Sequence, residues 1–390
     1  MSDSDGIIFN LNSGPFQNNG ASPWYANLQL GTPAQTMKIN IDSGTNITWV
    51  TSTLCPPESC THYGEDRFDW EAPSTFEFTD CLQRPFSFGP WGTMQVETGS
   101  DMITLPQSST VRANMFFSAD YDGDQFAQLD WDGGIGLPSS SAFIEGRSTF
   151  LYHEMMKQGL VEPTLPFVSF YTDQATSAGA CQMGGYDETK IDGLGLFLPW
   201  HVYAEYSGVE YIWSSVMNSF TVGTVVMEPT LPITEDHPLM LALDTGASQF
   251  KWDDKLMADT LTQLTAQGNP DIVMAFDGGT ITIGPDIYNV LIEAGPDEGQ
   301  TIPQFQPLGL NQLALVGSVL LDHCYAVYEY AVVECPNTTF SLAPVGVYLF
   351  NKPGGSKIID GNDTLPTSVQ PVSGRFRLGR RAMRSTGARP

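Results

Sequence analysis

The chain has 390 residues, which is more than a single hydrophobic core usually serves, so its length predicts two lobes or domains. Its 17 Lys and Arg residues against 44 Asp and Glu residues give a net charge of −27, which disfavours binding to nucleic acids and to anionic membrane surfaces. No apolar run approaches the roughly 20 residues of a membrane-spanning helix, and 41% hydrophobic residues exclude disorder of the body of the chain.

The first ten residues contain neither a basic region nor a long apolar run, so we expect no signal peptide in this sequence. Beyond them, glycine, proline, β-branched and aromatic residues are abundant, which favours strands joined by turns. Alternation of apolar and polar residues predicts strands at 36–42, 92–99 and 280–284.

Only two segments have a clear helical pattern. Residues 148–160 predict a helix with Ser148 as its N-cap, and residues 253–268 predict a helix that ends at Gly268. We therefore predict an all-β fold class, mainly β with a few short helices.

The most informative feature of the sequence is a repeated Asp-x-Gly. An alternating strand runs into DSGT (42–45), and an apolar strand runs into DTGA (244–247). An aspartate that ends a hydrophobic strand is buried and must be hydrogen-bonded. The glycine that follows permits a tight turn and a close approach of other groups to the backbone.

Each copy is followed by a second apolar element that contains a glycine, DGGIGLP (132–138) after the first and LALVGSVL (313–320) after the second. A single Asp-x-Gly is ordinary turn chemistry in a chain with 38 glycines. Two copies in matching contexts argue against that interpretation. They predict a duplicated unit in which Asp42 and Asp244 face each other across a pseudo-twofold axis.

With these motifs, the sequence from about Trp24 to Pro344 resembles the pepsin-like aspartic peptidases. LGTPAQ (30–35) precedes the first motif, and Trp49 follows its aspartate by seven residues, as in that family. Other segments typical of the family are PSTFE (73–77), QGLV (158–161), GGYD (184–187) and FSLAPV (340–345). The resemblance implies a bilobal β fold with pseudo-twofold symmetry, a long cleft, a flap over it, and hydrolysis of peptide bonds by two carboxylates.

The resemblance assigns Asp42 and Asp244 as the catalytic pair. It is established for aspartic proteases that two such carboxyl groups share a proton and titrate as a unit. The charged carboxylate takes a proton from a bridging water that attacks the scissile carbonyl, and the protonated one hydrogen-bonds to the carbonyl oxygen. This chemistry requires no cofactor and no metal, so we expect neither. We expect a polypeptide substrate, no nucleic-acid or membrane partner, and a monomer.

The residues expected to support the dyad are Ser43, Gly44, Thr45, Thr245 and Gly246. Ser43 and Thr245 occupy the interlocking hydroxyl positions of the family. Thr45 can donate a hydrogen bond to Asp42, but Ala247 has no hydroxyl group. We therefore expect the upper apparent pKa of the dyad to lie higher than it would with Ser or Thr at position 247.

The flap is predicted over residues 84–101, as a strand, a turn and a second strand. The flap residues expected to contact substrate are Phe88, Gly89, Gly92 and Thr93. The family usually has tyrosine at the position of Phe88, and its hydroxyl group hydrogen-bonds the tryptophan that corresponds to Trp49. Phe88 cannot make that bond, and the turn is one residue longer than usual, so the sequence departs from the family here.

Trp131 aligns with a bulky wall of the primary substrate pocket, and Ile135 is expected nearby. A pocket between Phe88 and Trp131 favours apolar or aromatic side chains at the cleavage site. The predicted substrate-binding set is completed by Trp49, Ala247 and Ser248, of which the last is expected to bond to substrate backbone.

Six cysteines are too scattered for a zinc site. By the resemblance, Cys55 and Cys60 form the small disulfide loop of the family. Cys324 and Cys335 flank a possible hairpin and are the second candidate bridge. The two cysteines whose pairing stays open are Cys81 and Cys181. Disulfides favour an extracellular or other oxidising compartment, whereas the missing signal peptide favours a cytoplasmic one.

We expect an N-terminal β lobe over 1–190 with the first aspartate and the flap, a C-terminal β lobe over 191–350 with the second aspartate, and a flexible extension over 351–390. Six arginines lie within 375–390, so the remaining body carries a net charge of −33. A tail without a role is the simpler expectation, and docking of the tail on the acidic body at neutral pH is the alternative.

Two other functions stay open at this point. A catalytically silent binding module of the same fold would explain the departure at the flap, although both aspartates are present. A two-carboxylate glycosidase also uses paired acids, but these are rarely embedded in paired Asp-x-Gly turns.

Overall fold

The computed structural model of the chain describes residues 6–57, 60, 66–88, 92–122, 126, 129–335, 338–367 and 372–373. Strands dominate these residues, and the α-helices are short, so the prediction of a mainly β chain is confirmed. Within this described part, no helix is long and apolar enough to cross a membrane.

The described residues of the first half of the chain form ten strands. One α-helix lies between the eighth and the ninth strand. The bounds are β1 (Ile7–Ser13), β2 (Trp24–Leu30), β3 (Gln35–Asp42), β4 (Thr48–Val50), β5 (Glu77–Ser87), β6 (Thr93–Thr104), β7 (Thr110–Asp122), β8 (Gly133–Gly136), α1 (Leu151–Lys157), β9 (Phe167–Asp173) and β10 (Ala178–Met183). The predicted strand at 36–42 is part of β3, and the predicted strand at 92–99 is part of β6.

The described residues of the second half form sixteen strands and three helices. The strands up to the first of these helices are β11 (Asp192–Pro199), β12 (Trp213–Val216), β13 (Ser219–Val222), β14 (Val225–Val226), β15 (Met240–Leu243) and β16 (Phe250–Trp252). The elements after them are α2 (Asp254–Gln267), β17 (Ile272–Phe276), β18 (Gly279–Ile283), α3 (Pro285–Tyr288), β19 (Asn289–Leu291), β20 (Thr301–Pro303), β21 (Phe305–Pro307), β22 (Leu313–Val316), α4 (Ser318–Leu321), β23 (Cys324–Cys335), β24 (Thr338–Asn351), β25 (Ile359–Gly361) and β26 (Val372–Ser373).

One large sheet runs through both halves of the molecule. Its strand order is β11-β24-β23-β9-β10-β1-β2-β3-β8-β4-β7-β6-β5, with β26 beside β23. The halves meet where β23 pairs with β9, with Ala326 opposite Phe170. Among its described residues, the second half also has three sheets of its own, in the orders β12-β15-β22-β16-β21, β14-β13-β17-β18-β25 and β19-β20. This is the bilobal arrangement that the sequence predicted.

Alternation of side chains explains how the strands bury one face. In β1, Ile7, Phe9 and Leu11 are buried, and the residues between them are exposed. Because successive side chains of a strand point to opposite faces, this pattern places one apolar face of the sheet against the core.

The two predicted helices differ in how well their ends were predicted. In α2, Asp253 accepts hydrogen bonds from the backbone N–H groups of Lys255 and Leu256, and Gly268 ends the helix in the left-handed conformation with φ 73°, as predicted. The prediction of Ser148 as the N-cap of α1 is wrong. The helix starts after Phe150, and the Ser148 hydroxyl instead accepts a hydrogen bond of 2.7 Å from the Thr48 N–H.

The folded part of the second lobe continues beyond the predicted boundary at residue 350. β25 pairs with β18, with Ile359 opposite Ile281, and Asp363 forms a bridge with Gly195. The prediction of a flexible extension from residue 351 onward is therefore wrong for its first part, because sheet pairing holds residues 359–363. The arginine-rich residues 375–390 lie outside the described residues.

A buried ionic cluster lies between the first strands and the last helix. The Asp322 carboxylate accepts hydrogen bonds from Trp24 Nε1 (2.8 Å), Thr172 Oγ1 (2.6 Å) and Gln174 Nε2 (2.8 Å). The Lys352 ammonium donates to the Asp322 backbone oxygen at 2.6 Å. Burial raises the pKa of Asp322 to about 6, against the hydrogen bonds and the lysine charge, which act in the opposite direction.

We expect this cluster to make the protein more stable at acid pH than at neutral pH. A carboxyl group with a raised folded-state pKa contributes stability below its unfolded pKa, and that contribution is lost as the pH rises through about 6. A shift of roughly two units corresponds to about 3 kcal/mol. The free energy of unfolding is measured in urea at pH 4 and at pH 7. Between these two pH values it should fall less for Asp322→Asn than for the parent protein. The exposed Asp360→Asn is the control, and an equally steep loss in Asp322→Asn would contradict the assignment.

Candidate active site

The two Asp-x-Gly turns occupy equivalent places in the two lobes. Asp42 is the last residue of β3 and lies in parallel register with Gly136 of β8. Asp244 directly follows β15, and its backbone N–H donates to the oxygen of Val316 at the end of the parallel strand β22 (3.0 Å). Each aspartate strand therefore pairs in parallel with a later strand that leads to a glycine.

The glycines after these partner strands let the chain pass close to the Asp-x-Gly turns. A Cβ atom on Gly136 would lie 2.6 Å from the oxygen of Ile47, and one on Gly317 would lie 2.2 Å from the oxygen of Ala247. Both distances are shorter than any normal carbon–oxygen contact, so a side chain at either position would push the turn away.

Hydroxyl groups connect the two turns reciprocally. The Ser43 N–H donates to Thr245 Oγ1 (2.9 Å), and the Thr245 N–H donates to Ser43 Oγ (3.0 Å). The Ser43 hydroxyl donates to the oxygen of Leu243 (3.0 Å), and the Thr245 hydroxyl donates to the oxygen of Ile41 (2.6 Å). Each turn is thereby tied to the strand that ends at the opposite aspartate, which fixes the two carboxylates relative to one another.

The two carboxylates are in contact with each other at the centre of the site. They are close enough that the Asp244 side chain raises the pKa of Asp42. Asp42 Oδ1 accepts from the Gly44 N–H (2.7 Å), and Asp244 Oδ1 accepts from the Gly246 N–H (2.9 Å). Each glycine also packs against the opposite carboxylate, since an added Cβ would lie 2.3 Å from its Cγ in both cases.

The environment of this pair favours a shared proton. Burial and the neighbouring Asp244 carboxylate raise the pKa of Asp42 well above its ordinary value. The Gly44 hydrogen bond and the charge of Lys251 act against this rise. Two neighbouring carboxylates in a half-buried site cannot both be ionised without a large cost, so the arrangement favours one proton on the pair.

Two groups that the sequence analysis did not single out lie within electrostatic reach of the dyad. Burial lowers the pKa of Lys251, while the charges of Asp244 and Asp42 raise it. Burial raises the pKa of the Tyr211 hydroxyl, and the charges of both aspartates add to this effect. The sequence signal for the lysine was its position between two apolar residues of a short strand.

The structure differs from the contacts predicted for two of the other residues near the dyad, Thr45 and Ser248. Thr45 is buried, but among the described residues its hydroxyl makes no hydrogen bond to Asp42, so the expected donor is not found. The backbone N–H of Ala247 donates to Asp244 Oδ1 at 3.2 Å. Ser248 is 0% exposed, and its hydroxyl has no hydrogen-bond partner in the described part of the chain. The expected bond from Ser248 to substrate is therefore not supported, because an enclosed hydroxyl group does not reach a substrate.

The predicted flap is an antiparallel hairpin of β5 and β6. Ser87 lies opposite Thr93, and the Phe88 N–H donates to the oxygen of Gly92 at 2.9 Å. Gly89, one of the predicted flap residues, lies outside the described residues. The Phe88 ring contacts Trp49 edge to face, with ring centroids 5.4 Å apart. The edge-to-face contact of Phe88 with Trp49 therefore replaces the hydrogen bond that the family has between tyrosine and tryptophan at these positions.

Aromatic rings pack against one another beneath the flap, where the primary substrate pocket is predicted. Trp49 contacts Trp131 at 5.9 Å between centroids, and Phe88 contacts Phe126 at 5.5 Å. The Trp131 indole N–H donates to the oxygen of Ser22 (3.0 Å), which fixes the ring. The expectation that Ile135 lies beside this pocket is wrong, because its side chain belongs to the main core of the lobe rather than to this aromatic cluster.

Of the two predicted disulfides, one forms and the other does not. Cys55 and Cys60 form a disulfide with Cα atoms 5.7 Å apart, as predicted. The predicted Cys324–Cys335 bridge is wrong, because these are the first and last residues of the 12-residue strand β23. The ends of such a strand are roughly 36 Å apart, whereas a disulfide needs Cα atoms about 6 Å apart. Cys324 and Cys181 are buried free thiols, so the pairing of Cys181 with Cys81 is not formed either.

Comparisons with known proteins agree with this geometry. The family model for eukaryotic aspartyl protease matches residues 23–343. Chymosin of Bos taurus is 24% identical over 334 residues, which covers 81% of each chain. Vacuolar aspartic protease of Candida albicans is 24% identical and covers 81% of this chain and 74% of its own. Gastricsin of Cavia porcellus is 24% identical, with 79% and 78% covered.

Proposed function

The chain belongs to the eukaryotic aspartyl protease family and is an aspartic endopeptidase, and we propose that it cleaves polypeptides with a water activated between Asp42 and Asp244. The observation that carries this proposal is the pair of neighbouring carboxylates, each packed against the glycine of the opposite turn. No other described feature of the molecule brings two acids together in so symmetric a setting.

The proposed reaction follows from the shared proton. The ionised carboxylate takes a proton from the water as the water oxygen attacks the carbonyl carbon of the substrate. The protonated carboxyl group donates a hydrogen bond to the carbonyl oxygen, on which negative charge develops. When the tetrahedral intermediate collapses, the leaving nitrogen takes up a proton from the dyad and the C–N bond breaks. The products are one new carboxyl terminus and one new amine, and the dyad regains its single proton.

We propose that Ser43 and Thr245 position the carboxylates without contacting substrate. Their hydroxyl groups donate to the backbone of the strand that leads to the opposite turn. A misplacement of about 1 Å at a reacting group costs on the order of 10²-fold in rate, so such fixing contributes to catalysis.

We propose that the site prefers apolar or aromatic side chains at the cleavage position. The supporting observation is the cluster of rings formed by Trp49, Phe88, Phe126 and Trp131 beneath the flap. Burial of an apolar side chain against these rings stabilises the complex by roughly 1.5 to 3 kcal/mol. The polar groups of the dyad then fix the scissile bond beside this pocket.

The organisation and location of the protein are also proposed here. We propose lobes that divide near residue 190, because the next strand, β11, pairs with β24 of the second half. We propose an extracellular or other oxidising compartment, which the Cys55–Cys60 disulfide supports. We propose that the protein acts as a monomer, since both aspartates of the dyad come from the same chain.

The decisive experiment measures cleavage of denatured protein from pH 3 to 7. We expect cleavage at acid pH, inhibition by a statine-type peptide, and cut sites next to apolar or aromatic residues. If the protein cleaves with no preference for the side chain at the cut site, only the proposed preference for apolar or aromatic side chains is wrong. If the folded protein binds the statine-type peptide and cleaves nothing, it is a binding module and the proposed function is wrong.

Adding a hydroxyl group at position 247 should shift the pH profile downward. Asp244 accepts hydrogen bonds from the N–H groups of Gly246 and Ala247, and a threonine hydroxyl at 247 would add a third donor to its ionised form. We expect Ala247→Thr to lower the upper apparent pKa of kcat/KM by about one unit. The matched control is Ala247→Val, which has the same shape without the hydroxyl. An equal shift in both variants would count against the hydrogen-bond explanation.

A further inference from the structure

A lysine side chain lies on the cleft side of the second lobe. Lys251 is the middle residue of β16, and its neighbours Phe250 and Trp252 are both 0% exposed in the core. Because side chains alternate along a strand, Lys251 projects from the opposite face of this sheet.

The pairing of the strands shows what shares that face. Leu315 of β22 lies opposite Lys251 on one side and opposite Ala242 of β15 on the other. Side chains that are opposite one another in a sheet point to the same face. Ala242 precedes Asp244 by two residues, so this row of three side chains runs along the wall directly below the second aspartate.

The ammonium group of Lys251 lies next to Gly20, a residue of the first lobe. A Cβ atom on Gly20 would lie 3.2 Å from Lys251 Nζ. The segment that contains this glycine lies against the second Asp-x-Gly turn, since the Ser22 N–H donates to the oxygen of Gly246 (2.9 Å) and Ala21 bridges Ala247. The ammonium group therefore lies where the first lobe meets the second aspartate.

Hydrophobic side chains line part of the surroundings of the lysine. Leu315 packs against a cluster that includes Tyr203, Ile212 and Met240, and Tyr211 packs against the same cluster. Asp244 and then Asp42 are the charges that raise the pKa of Lys251, against the burial that lowers it. A dyad that holds one proton carries one negative charge, so the dyad and the lysine together are close to neutral.

We propose that Lys251 makes the substrate pocket on the C-terminal-lobe side of the dyad selective for an acidic side chain. The proposal rests on the function proposed above, because it concerns the polypeptide bound for cleavage. Successive side chains of an extended peptide point to opposite sides. A peptide with an apolar side chain against Phe88 and Trp131 therefore directs an adjacent side chain toward the wall that holds Lys251. A carboxylate there pairs with the ammonium group in a partly desolvated site, where such a pair is stronger than in water.

The test compares two matched peptides, with Glu or Gln at the position next to the apolar residue. At pH 5.5 and low salt, we expect kcat/KM to be about tenfold higher for the Glu peptide, mainly through KM. At pH 3.5 the glutamate is largely protonated, so the preference should fall toward one. Lys251→Met should abolish the preference at pH 5.5, and Lys251→Arg should keep it. The control is Lys255→Met, an exposed lysine on α2 paired with Asp259, which should behave as the parent protein.

The outcomes separate this proposal from the proposed function. Equal kcat/KM for the two peptides in the parent protein, or a preference that survives Lys251→Met in a folded variant, overturns the role of Lys251 alone. If neither peptide is cleaved, calorimetric binding of Glu and Gln versions of a statine-type peptide still measures the preference. Absence of both cleavage and binding overturns the proposed function instead.

Discussion

Asp42→Asn is expected to lower kcat by at least about 10³-fold while leaving the fold intact. Asparagine retains an oxygen that accepts the Gly44 hydrogen bond, so the turn keeps its geometry. It cannot carry the negative charge that takes a proton from water, and the pair loses its titrating function. Asp244→Asn should have an effect of the same order, because the two carboxylates act as one unit.

The measurement is kcat at the optimum pH on one peptide, together with the melting temperature of each variant. The melting temperature should stay the same or rise, since one of two neighbouring acids is neutralised. Asp360→Asn, an exposed acid in the second lobe, is the control and should keep full activity. A variant with asparagine at 42 or 244 that retains a tenth of the parent rate would contradict the assignment of the dyad.

Gly44→Ala should reduce kcat by about 10²-fold or more. The added methyl group would lie 2.3 Å from Cγ of Asp244, so that carboxylate must move away from its partner. Gly246→Ala should do the same to Asp42 across the pseudo-twofold axis, again at 2.3 Å. The effect is steric and acts on the opposite lobe, which distinguishes it from a local change of the turn.

Gly355→Ala is the matched control, because its nearest neighbour would be at an ordinary 3.4 Å. We expect parent activity and parent stability for it. Titration with a statine-type peptide should show weaker binding to Gly44→Ala than to the control. If Gly44→Ala keeps parent kcat, the close packing of each glycine on the opposite carboxylate is not required for catalysis.

The repeated Asp-x-Gly carried most of what the sequence could predict about the site. It placed Asp42 and Asp244 on matching turns, and the resemblance supplied the hydroxyl exchange between Ser43 and Thr245. The two motifs themselves are short stretches of chain, in which strand alternation and turn chemistry act locally. The resemblance also supplied the Cys55–Cys60 loop, whose two cysteines are only five residues apart.

Features that depend on register between distant strands could not be predicted. The apolar context of Lys251 was visible, but the row that it shares with Leu315 and Ala242 exists only after β15, β22 and β16 are paired. The Cys324–Cys335 error has the same origin, since a hairpin was expected where one long strand forms. Ile135 was assigned to the pocket because alternation alone does not say which face of β8 meets the cleft.

During synthesis of the chain, β9 is made well before β23, the strand with which it pairs. Phe170 leaves the ribosome long before Ala326, its partner, and the intervening residues take roughly 10 to 30 s to make at usual translation speeds. Through that interval the edge of β9 has unpaired backbone groups and can pair with another nascent chain. The continuous sheet that joins the lobes therefore leaves the first half with an exposed strand edge until the second half is complete.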